Sequence, residues 1–426
     1  MKQGKHSKSA HSARPVTRST AYGTSARSKA TTKKAKKSSI DIRSNSANVK
    51  LLPVTRIICA VQLLIMLAGF TYVAFLHLIS LKFLIALAAL IIFISALHIL
   101  LIETRARKIV LKVVSIILSV VISVTAIYGG VMLGTVNSAL GDFGSTDDGG
   151  VIPPSNPEIN ITSHPFVVYL SGIDTRDVST IKDKGLSDVN MMVAINPKTK
   201  KVLMVNIPRD YYVGLWGDPD KLDKLTHAGS HGIDCSIKTV EAIFDIKADY
   251  CVKVNFKSVV DIVDALGGIT VNSEFKFTSD ASLSGKFYDF NVGENFLKGD
   301  QALAFARERK SFPKGDIQRG IHQQVIIKAI FDKLISPSIL NPTKLNDVLK
   351  AITSNMKTNI SGSDIKALVR MQQNDMASWD IQTTYVEGTG TMRPTYSMGS
   401  QELSVKLPNK ESIAAAKQAM EAILAE

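Results

Sequence analysis

The chain has 426 residues, of which 45% are hydrophobic, and a formal net charge of +14. Residues 1–50 hold thirteen Lys or Arg against Asp41 alone, so this tail carries +12 and the remainder is almost neutral. That distribution excludes a folded basic DNA-binding domain, and no nucleic-acid partner is expected.

The tail is rich in Ser, Thr, Ala and Gly without an aliphatic pattern, which predicts disorder. Apolar runs follow at 57–76, 83–102 and 113–133. Each is about 20 residues, the length a helix rising ~1.5 Å per residue needs to cross ~30 Å of hydrocarbon. Three in succession, nearly free of charge, read as membrane spans within 51–134 rather than as core helices. A cleaved signal peptide does not fit, because the first run begins late and two more follow. Arg105, Arg107 and Lys108 separate the second run from the third, whereas the first connection offers only Lys82. The positive-inside rule then predicts a multi-pass cell-membrane protein with a cytoplasmic N-terminus and everything after Gly134 outside.

Residues 135–164, with GDFGSTDDGGVIPPSNPE, read as a spacer, and 165–426 suffice for one large domain. Strands are predicted at 166–171, 191–196, 202–207, 250–255 and 269–271, with NPKTK turning a hairpin between the second and third. Helices are predicted at 236–244, 256–266, 316–335, 342–356, 364–374 and 411–424. This alternation gives an α/β domain whose sheet is covered on both faces. Cys235 and Cys251 read as buried and unpaired, and no Cys/His cluster has zinc-ligand spacing.

Chemistry-bearing residues fall at strand ends. Asp174 follows the apolar strand FVVYLSGI, Asp188 precedes MMVAI, and Arg209 and Asp210 end VLMVNI. Two carboxylates brought together there suit Mg²⁺, a hard cation that also takes phosphate oxygens; the alternative is that both cap turns. The stretch ALAFARERKSFPKGDIQRGIHQQ is the most informative. On an extended backbone Arg307 and Arg309, two apart, point the same way. Arg319 and Gln323, four apart, share a helix face if a helix starts near Asp316, whose free N–H groups favour anions. Guanidinium forks match phosphate oxygens bidentately, so three of them suggest a pyrophosphate. The competing reading is a solvated face neutralised by Glu308 and Asp316.

The segments GIDTR, SDVNMMVAINPKTKKVLMVNIPRDYYV, KLTHAGSHG, SIKTVEAIFDI and DALGGITV, with the Arg-rich stretch, resemble the LytR-CpsA-Psr family, most closely its capsule and LytR-like branch. Its members attach glycopolymers to the walls of mostly Gram-positive bacteria. The resemblance implies an α/β/α sandwich with a central mixed sheet and a deep apolar pocket for a polyprenyl chain. It also implies Mg²⁺ held by Asp174 and Asp188, with pyrophosphate contacts at Arg209, Arg307, Arg309, Arg319 and Gln323, and Asp316 orienting the arginines. Leu186 departs from the Arg that many relatives carry there, and the accessory insertion of some capsule relatives is missing.

The implied activity is Mg²⁺-dependent transfer of a glycopolymer (capsule or teichoic acid) from undecaprenyl pyrophosphate to a peptidoglycan hydroxyl. Asp174, Asp188 and Arg209 would be the catalytic residues, with either acid as base. A lipid (pyro)phosphate hydrolase is the second reading and an envelope-lipid-sensing regulator the third. The products distinguish them: polymer on peptidoglycan, free polymer, or binding without turnover.

Overall fold

A computed structural model describes residues 53–103, 109–141, 159–173, 184–313, 315–337 and 341–425. The basic tail, Arg105, Arg107, Lys108 and Asp174 lie outside the described residues, as does most of the expected spacer.

Among the described residues three helices are long and apolar enough to cross a membrane: α1 (Pro53–Phe75), α2 (Leu81–Glu103) and α3 (Ile109–Gly141). The chain forms two compact units, one of 1–63 with 94–121, the other of 64–93 with 122–426. In the first, His98 Nδ1 lies 3.5 Å from Ser119 Oγ. All further description concerns the second.

α3 is longer than its predicted span and takes in 135–141, which the sequence reading assigns to the spacer. The reason is burial. Val136 and Leu140 pack with Leu76 and Leu78 from the α1–α2 corner and with Leu349 of the outer domain. Polar contacts reinforce the seam: Ser80 N–H donates to Gln373 Oε1 at 2.9 Å, Lys82 Nζ to the Asn374 carbonyl at 2.8 Å, and Lys366 Nζ to Asn137 Oδ1 at 2.6 Å.

The outer domain is built on a six-stranded mixed sheet. Its strands are β1 (Phe166–Ile173), β2 (Ser187–Asn196), β3 (Lys201–Asn206), β6 (Tyr250–Asn255), β11 (Met356–Thr358) and β12 (Asp380–Tyr385), ordered β11-β6-β1-β2-β3-β12. Outside it lie the strands β4 (Tyr212–Gly214), β5 (Leu222–Lys224), β7 (Ile269–Ser273), β8 (Phe277–Thr278), β9 (Asp289–Phe290), β10 (Gly293–Leu297), β13 (Gly388–Thr395) and β14 (Gly399–Pro408). The helices are α4 (Leu225–Ala228), α5 (Ile233–Phe244), α6 (Phe256–Ala265), α7 (Ala281–Ser284), α8 (Gly299–Arg307), α9 (Gly315–Leu334), α10 (Pro342–Asn355), α11 (Gly362–Asp375) and α12 (Lys410–Ala425).

Successive strand residues point to opposite faces, and both faces are dry. Val167, Tyr169, Met192 and Val205 pack under α5 and α12 through Val240, Phe244 and Met420. Phe166, Val168, Met191 and Met204 pack against Ile327 of α9 and Leu368 of α11. The domain is therefore the α/β/α sandwich that the resemblance implies. A third cluster joins α6, β7, α8 and α9 through Val263, Ile269, Phe305 and Ile326. The cysteines are free and buried, as expected, and burial pushes the Cys235 and Cys251 thiols up to about 11 and about 12.

α9 is the element that positions the site, and its seating depends on two glycines. A Cβ at Gly320 would collide with the side-chain amide of Asn206 at the end of β3, and one at Gly315 with the Arg309 carbonyl. Gly inside a helix ordinarily costs about 1 kcal/mol relative to Ala. Gly320→Ala should nevertheless lower Tm, because the clash outweighs the propensity gain. Adding Asn206→Ala should return part of the lost Tm. Calorimetry on the two variants checks this, and a Gly320→Ala protein as stable as wild type would remove the close approach from the account.

Candidate active site

The site forms at the end of the sheet where β1 finishes, β2 begins and β3 finishes. Ile173 pairs with Ser187, and Met191 with Asn206. Asp188 is the second residue of β2, not a residue preceding the strand as the sequence reading has it. β2 extends back to Ser187 because that hydroxyl is fully buried, 2.8 Å from both Ser171 Oγ and Asn190 Oδ1. Arg209 leaves β3 through Pro208 and donates from Nη1 to Asp188 Oδ1 at 2.7 Å. Asp210 Oδ2 stands 3.8 Å from its Nε, and Lys224 Nζ is 3.0 Å from Asp210 Oδ1.

The second half comes from α8 and α9. The expected extended backbone for Arg307 is corrected: Arg307 is the last residue of α8, and the chain becomes extended only at Glu308. Ala302, Ala304, Phe305 and Ala306 are good helix-core residues, and that periodicity outweighs the two-residue spacing of the arginines. The Arg307 guanidinium stacks over Phe256 at 4.2 Å. Glu308 does not neutralise a solvated face. It is fully buried, its carboxylate accepting from the Asp280, Lys310 and Ser311 N–H groups at 2.6, 2.7 and 3.0 Å, and so shapes the turn that presents Arg309.

α9 begins at Gly315, one residue before the expected Asp316. Arg319 Nη2 lies 3.1 Å from Asp316 Oδ1, and Gln323, one turn on, is buried as the helical spacing requires. Between them His322 is 2% exposed among Phe277, Phe305 and Phe312, with Nδ1 3.0 Å from the Phe305 carbonyl. Burial pushes this imidazole down to about 4. A neutral ring therefore donates from Nδ1 and ties α9 to the last turn of α8, fixing Arg319 relative to Arg307.

Charge balance makes the site unusual. Burial weakens the Arg319 cation and the Arg209 charge weakens it further, despite Asp316 and Asp188. Burial acts against Arg209 as well, but Asp188, Asp210 and Asp316 together raise its pKa above the usual arginine value. For Asp316 burial is outweighed by Arg319, Lys406, Arg209 and Arg309, which hold its carboxyl below the usual range. Arg209, Arg309, Arg319 and Lys406 thus surround two partly buried acids, Asp188 and Asp316, at the N-terminus of a twenty-residue helix. That terminus already favours negative charge, so the arrangement is short of an anion. Arg209 Nε is buried without a hydrogen-bond partner among the described residues, although such donors are normally satisfied.

Lys406, in β14, is absent from the sequence reading. Its Nζ is 4.0 Å from Asp316 Oδ2 and its N–H donates to the Asp210 carbonyl at 2.7 Å. Only pairing of the C-terminal hairpin with the Arg209 loop brings it here, and no local motif signals it. Among the described residues no group of three or more His, Cys, Asp or Glu is arranged to hold a metal. Asp188 still fits Mg²⁺ in donor type, since that ion is commonly held by one or two carboxylates together with substrate phosphates.

A separate apolar cavity of about 510 Å³ opens at the opposite end of α9. Leu78 of the α1–α2 corner, Phe83 of α2 and Leu133 of α3 line it with Phe166, Phe331 and Leu345 of the outer domain. Arg319 and Phe331 are twelve residues apart on α9, roughly 18 Å.

The sequence profile of the LytR_cpsA_psr family matches residues 148–415. The chain is 40% identical over 231 residues to a polyisoprenyl-teichoic acid–peptidoglycan teichoic acid transferase, TagU, of Bacillus licheniformis, covering 54% of this chain and 67% of that one. Against the protein of the same name from Bacillus subtilis, identity is 38% over 239 residues, covering 53% and 70%. Among solved structures, B. subtilis TagV superposes with a TM-score of 0.51 at 30% identity, covering 62% of this chain and 98% of that one.

Substituting the arginines separates an anion site from a structural ion-pair network. Arg307→Lys and Arg309→Lys retain charge but lose the fork, and each should lower turnover of a lipid pyrophosphate about tenfold or more, the value of one lost charge-assisted bond. Arg319→Gln should cut turnover at least as much while leaving Tm unchanged or higher, because it relieves repulsion from Arg209. Kinetics and melting curves of the three variants check this, and lowered Tm with intact turnover would make the cluster structural.

Proposed function

The chain belongs to the LytR_cpsA_psr family, and on that premise we propose that it is a membrane-anchored transferase moving an anionic glycopolymer from a polyprenyl pyrophosphate to a peptidoglycan hydroxyl. Teichoic acid is the polymer in the names of its curated relatives. The observation that carries the reading is the set of buried or half-buried cations around Asp188 and Asp316, one bearing an unpartnered Nε. Such a set matches two linked phosphates better than a single carboxylate.

In this reading the polymer-bearing phosphorus sits against Arg209, Arg309 and Arg319. The acceptor hydroxyl oxygen forms a bond to that phosphorus as the bridging P–O bond breaks. Polyprenyl monophosphate leaves, and the hydroxyl proton passes to a site carboxylate, Asp174 or Asp188. The arginine forks hold the charge that accumulates on the phosphate oxygens, and their fixed position makes that stabilisation effective. Arg307 and Gln323 flank the same anion, and Asp316 with His322 keeps α9 in register. Mg²⁺, when bound by Asp188 and Asp174, would supply Lewis-acid neutralisation of the pyrophosphate.

The apolar cavity suits the lipid end of the same substrate. It borders the membrane helices and falls within the ordinary size range of ligand pockets. The ends of α1 and α3 and the start of α2 meet the outer domain, and the positive-inside rule supports a cytoplasmic N-terminus with the site outside. A reporter fused after Gly150 should then be active only outside, and cytoplasmic activity would reverse the topology.

The deciding experiment supplies the full chain in bilayer with a polyprenyl-pyrophosphate-linked teichoic polymer, peptidoglycan and Mg²⁺. Polymer should become covalently attached to peptidoglycan, and Asp188→Ala or a chelator should abolish attachment. Release of free polymer instead would make the protein a hydrolase, and full attachment in chelator would remove the metal from the proposal.

A further inference from the structure

An aromatic surface beside the Arg209 loop is not used by anything above. Trp216 turns the chain between β4 and β5 with φ 57° and ψ 14°, a left-handed conformation that a bulky side chain seldom adopts. Its N–H is held by Thr239 Oγ1 at 2.9 Å, and its ring packs 4.9 Å from His231. His231 in turn lies 6.3 Å from Tyr396, a ring that is 50% exposed at the tip of the β13–β14 hairpin. Lys221 Nζ sits 5.4 Å from the Trp216 ring, and Ser397 Oγ is 3.4 Å from His231 Nε2. Strain of this kind persists where surrounding structure enforces it, and it clusters at ligand sites.

This surface is joined to the anion site by short links. The Tyr396 N–H donates to the Leu222 carbonyl at 2.8 Å, and fully buried Asp223 accepts from the Ser397 N–H at 2.7 Å. One residue on, Lys224 contacts Asp210, and the Thr226 N–H donates to the Arg209 carbonyl at 2.8 Å. The Tyr396 backbone therefore lies within about 20 Å of the Asp210 carboxylate, adding two extended residues and the Lys224 side chain to two contacts.

Resting on the transferase reading, we infer that Trp216, His231 and Tyr396 form the subsite for the sugar strand of the acceptor, a neutral N-acetylated hexosamine glycan. A pyranose ring is apolar on the face of its axial C–H bonds and polar at its rim. The negative π face of Trp216 or Tyr396 meets the first, and His231 and Ser397 reach the second. The polyanionic donor is a poorer fit, because the same turn carries Asp218 and Asp220, with Lys221 committed to Asp218 at 2.9 Å. Cations gather on the other side of Asp210, where the donor phosphates belong.

The test uses the full chain and two probes, the lipid-linked donor and a soluble N-acetylglucosamine oligosaccharide. Tyr396→Ala, at an exposed position, should raise the KM for glycan acceptor about fivefold, the order of one aromatic contact, with kcat and the donor KM unchanged. Tyr396→Phe should restore the acceptor KM. Independently of turnover, the oligosaccharide should quench tryptophan fluorescence in the wild type. The quench should weaken in Tyr396→Ala and vanish in Trp216→Phe, which retains Trp379. Unchanged acceptor KM, a raised donor KM, or a quench that survives in Trp216→Phe would overturn the subsite. If the wild type transfers nothing, the fluorescence titration still decides whether the surface holds the sugar.

Discussion

Mutual repulsion among half-buried arginines is the constraint around which the anion site is arranged. Arg209 and Arg319 are both largely withdrawn from solvent and each feels the other's charge, with Arg309 and Lys406 close behind. Three acids at the cluster, Asp188, Asp210 and Asp316, offset part of it, Asp210 being shared with Lys224, and the N-terminus of α9 adds positive potential. Such an arrangement persists because rigid elements fix each cation separately. Arg209 is set by the exit of β3, Arg309 by the buried Glu308 turn, and Arg319 by a helix locked against Asn206 through Gly320. The cations are thus held in place by the fold itself, and fixed charges of that kind are what electrostatic stabilisation of a charged transition state requires.

α9 carries the second half of the design. Its first turns face the anion site, and its last turns line the apolar cavity beside the membrane helices. A substrate with a charged head and a long hydrocarbon tail has both requirements met along one helix. The α1–α2 corner and the end of α3 share the hydrophobic core of this cavity wall with α10 and α11. The membrane anchor therefore contributes apolar surface to the outer domain in addition to tethering it.

Much of this was legible in the sequence, for identifiable reasons. Strands β1, β3 and β6 were readable because both their faces are buried and the apolar runs are continuous, and α9 because Arg319 and Gln323 keep helical spacing. What failed was local reasoning about charged residues. The two-residue spacing of Arg307 and Arg309 suits an extended backbone, yet the alanines and Phe305 before Arg307 form the buried face of α8. The competing reading, in which Glu308 neutralises a solvated face, does not hold either, since its carboxylate serves three backbone N–H groups. Asp188 lies inside β2 because polar Ser187 and Asn190 satisfy one another in the interior. Lys406 and the Trp216–His231–Tyr396 surface depend on long-range contacts, Asp210 with Lys406 and His231 with Tyr396, which no window along the chain can contain.

The central claim, that the arginine cluster exists to hold a pyrophosphate, is tested most directly by an experimental structure with a short-chain polyprenyl pyrophosphate bound. The account predicts both phosphates at the N-terminus of α9, with Arg209 Nε and the Arg309 and Arg319 guanidinium groups on their oxygens and the isoprenoid tail directed along α9 toward the apolar cavity. Phosphates bound elsewhere, with the arginines still paired only to Asp188 and Asp316, would contradict it.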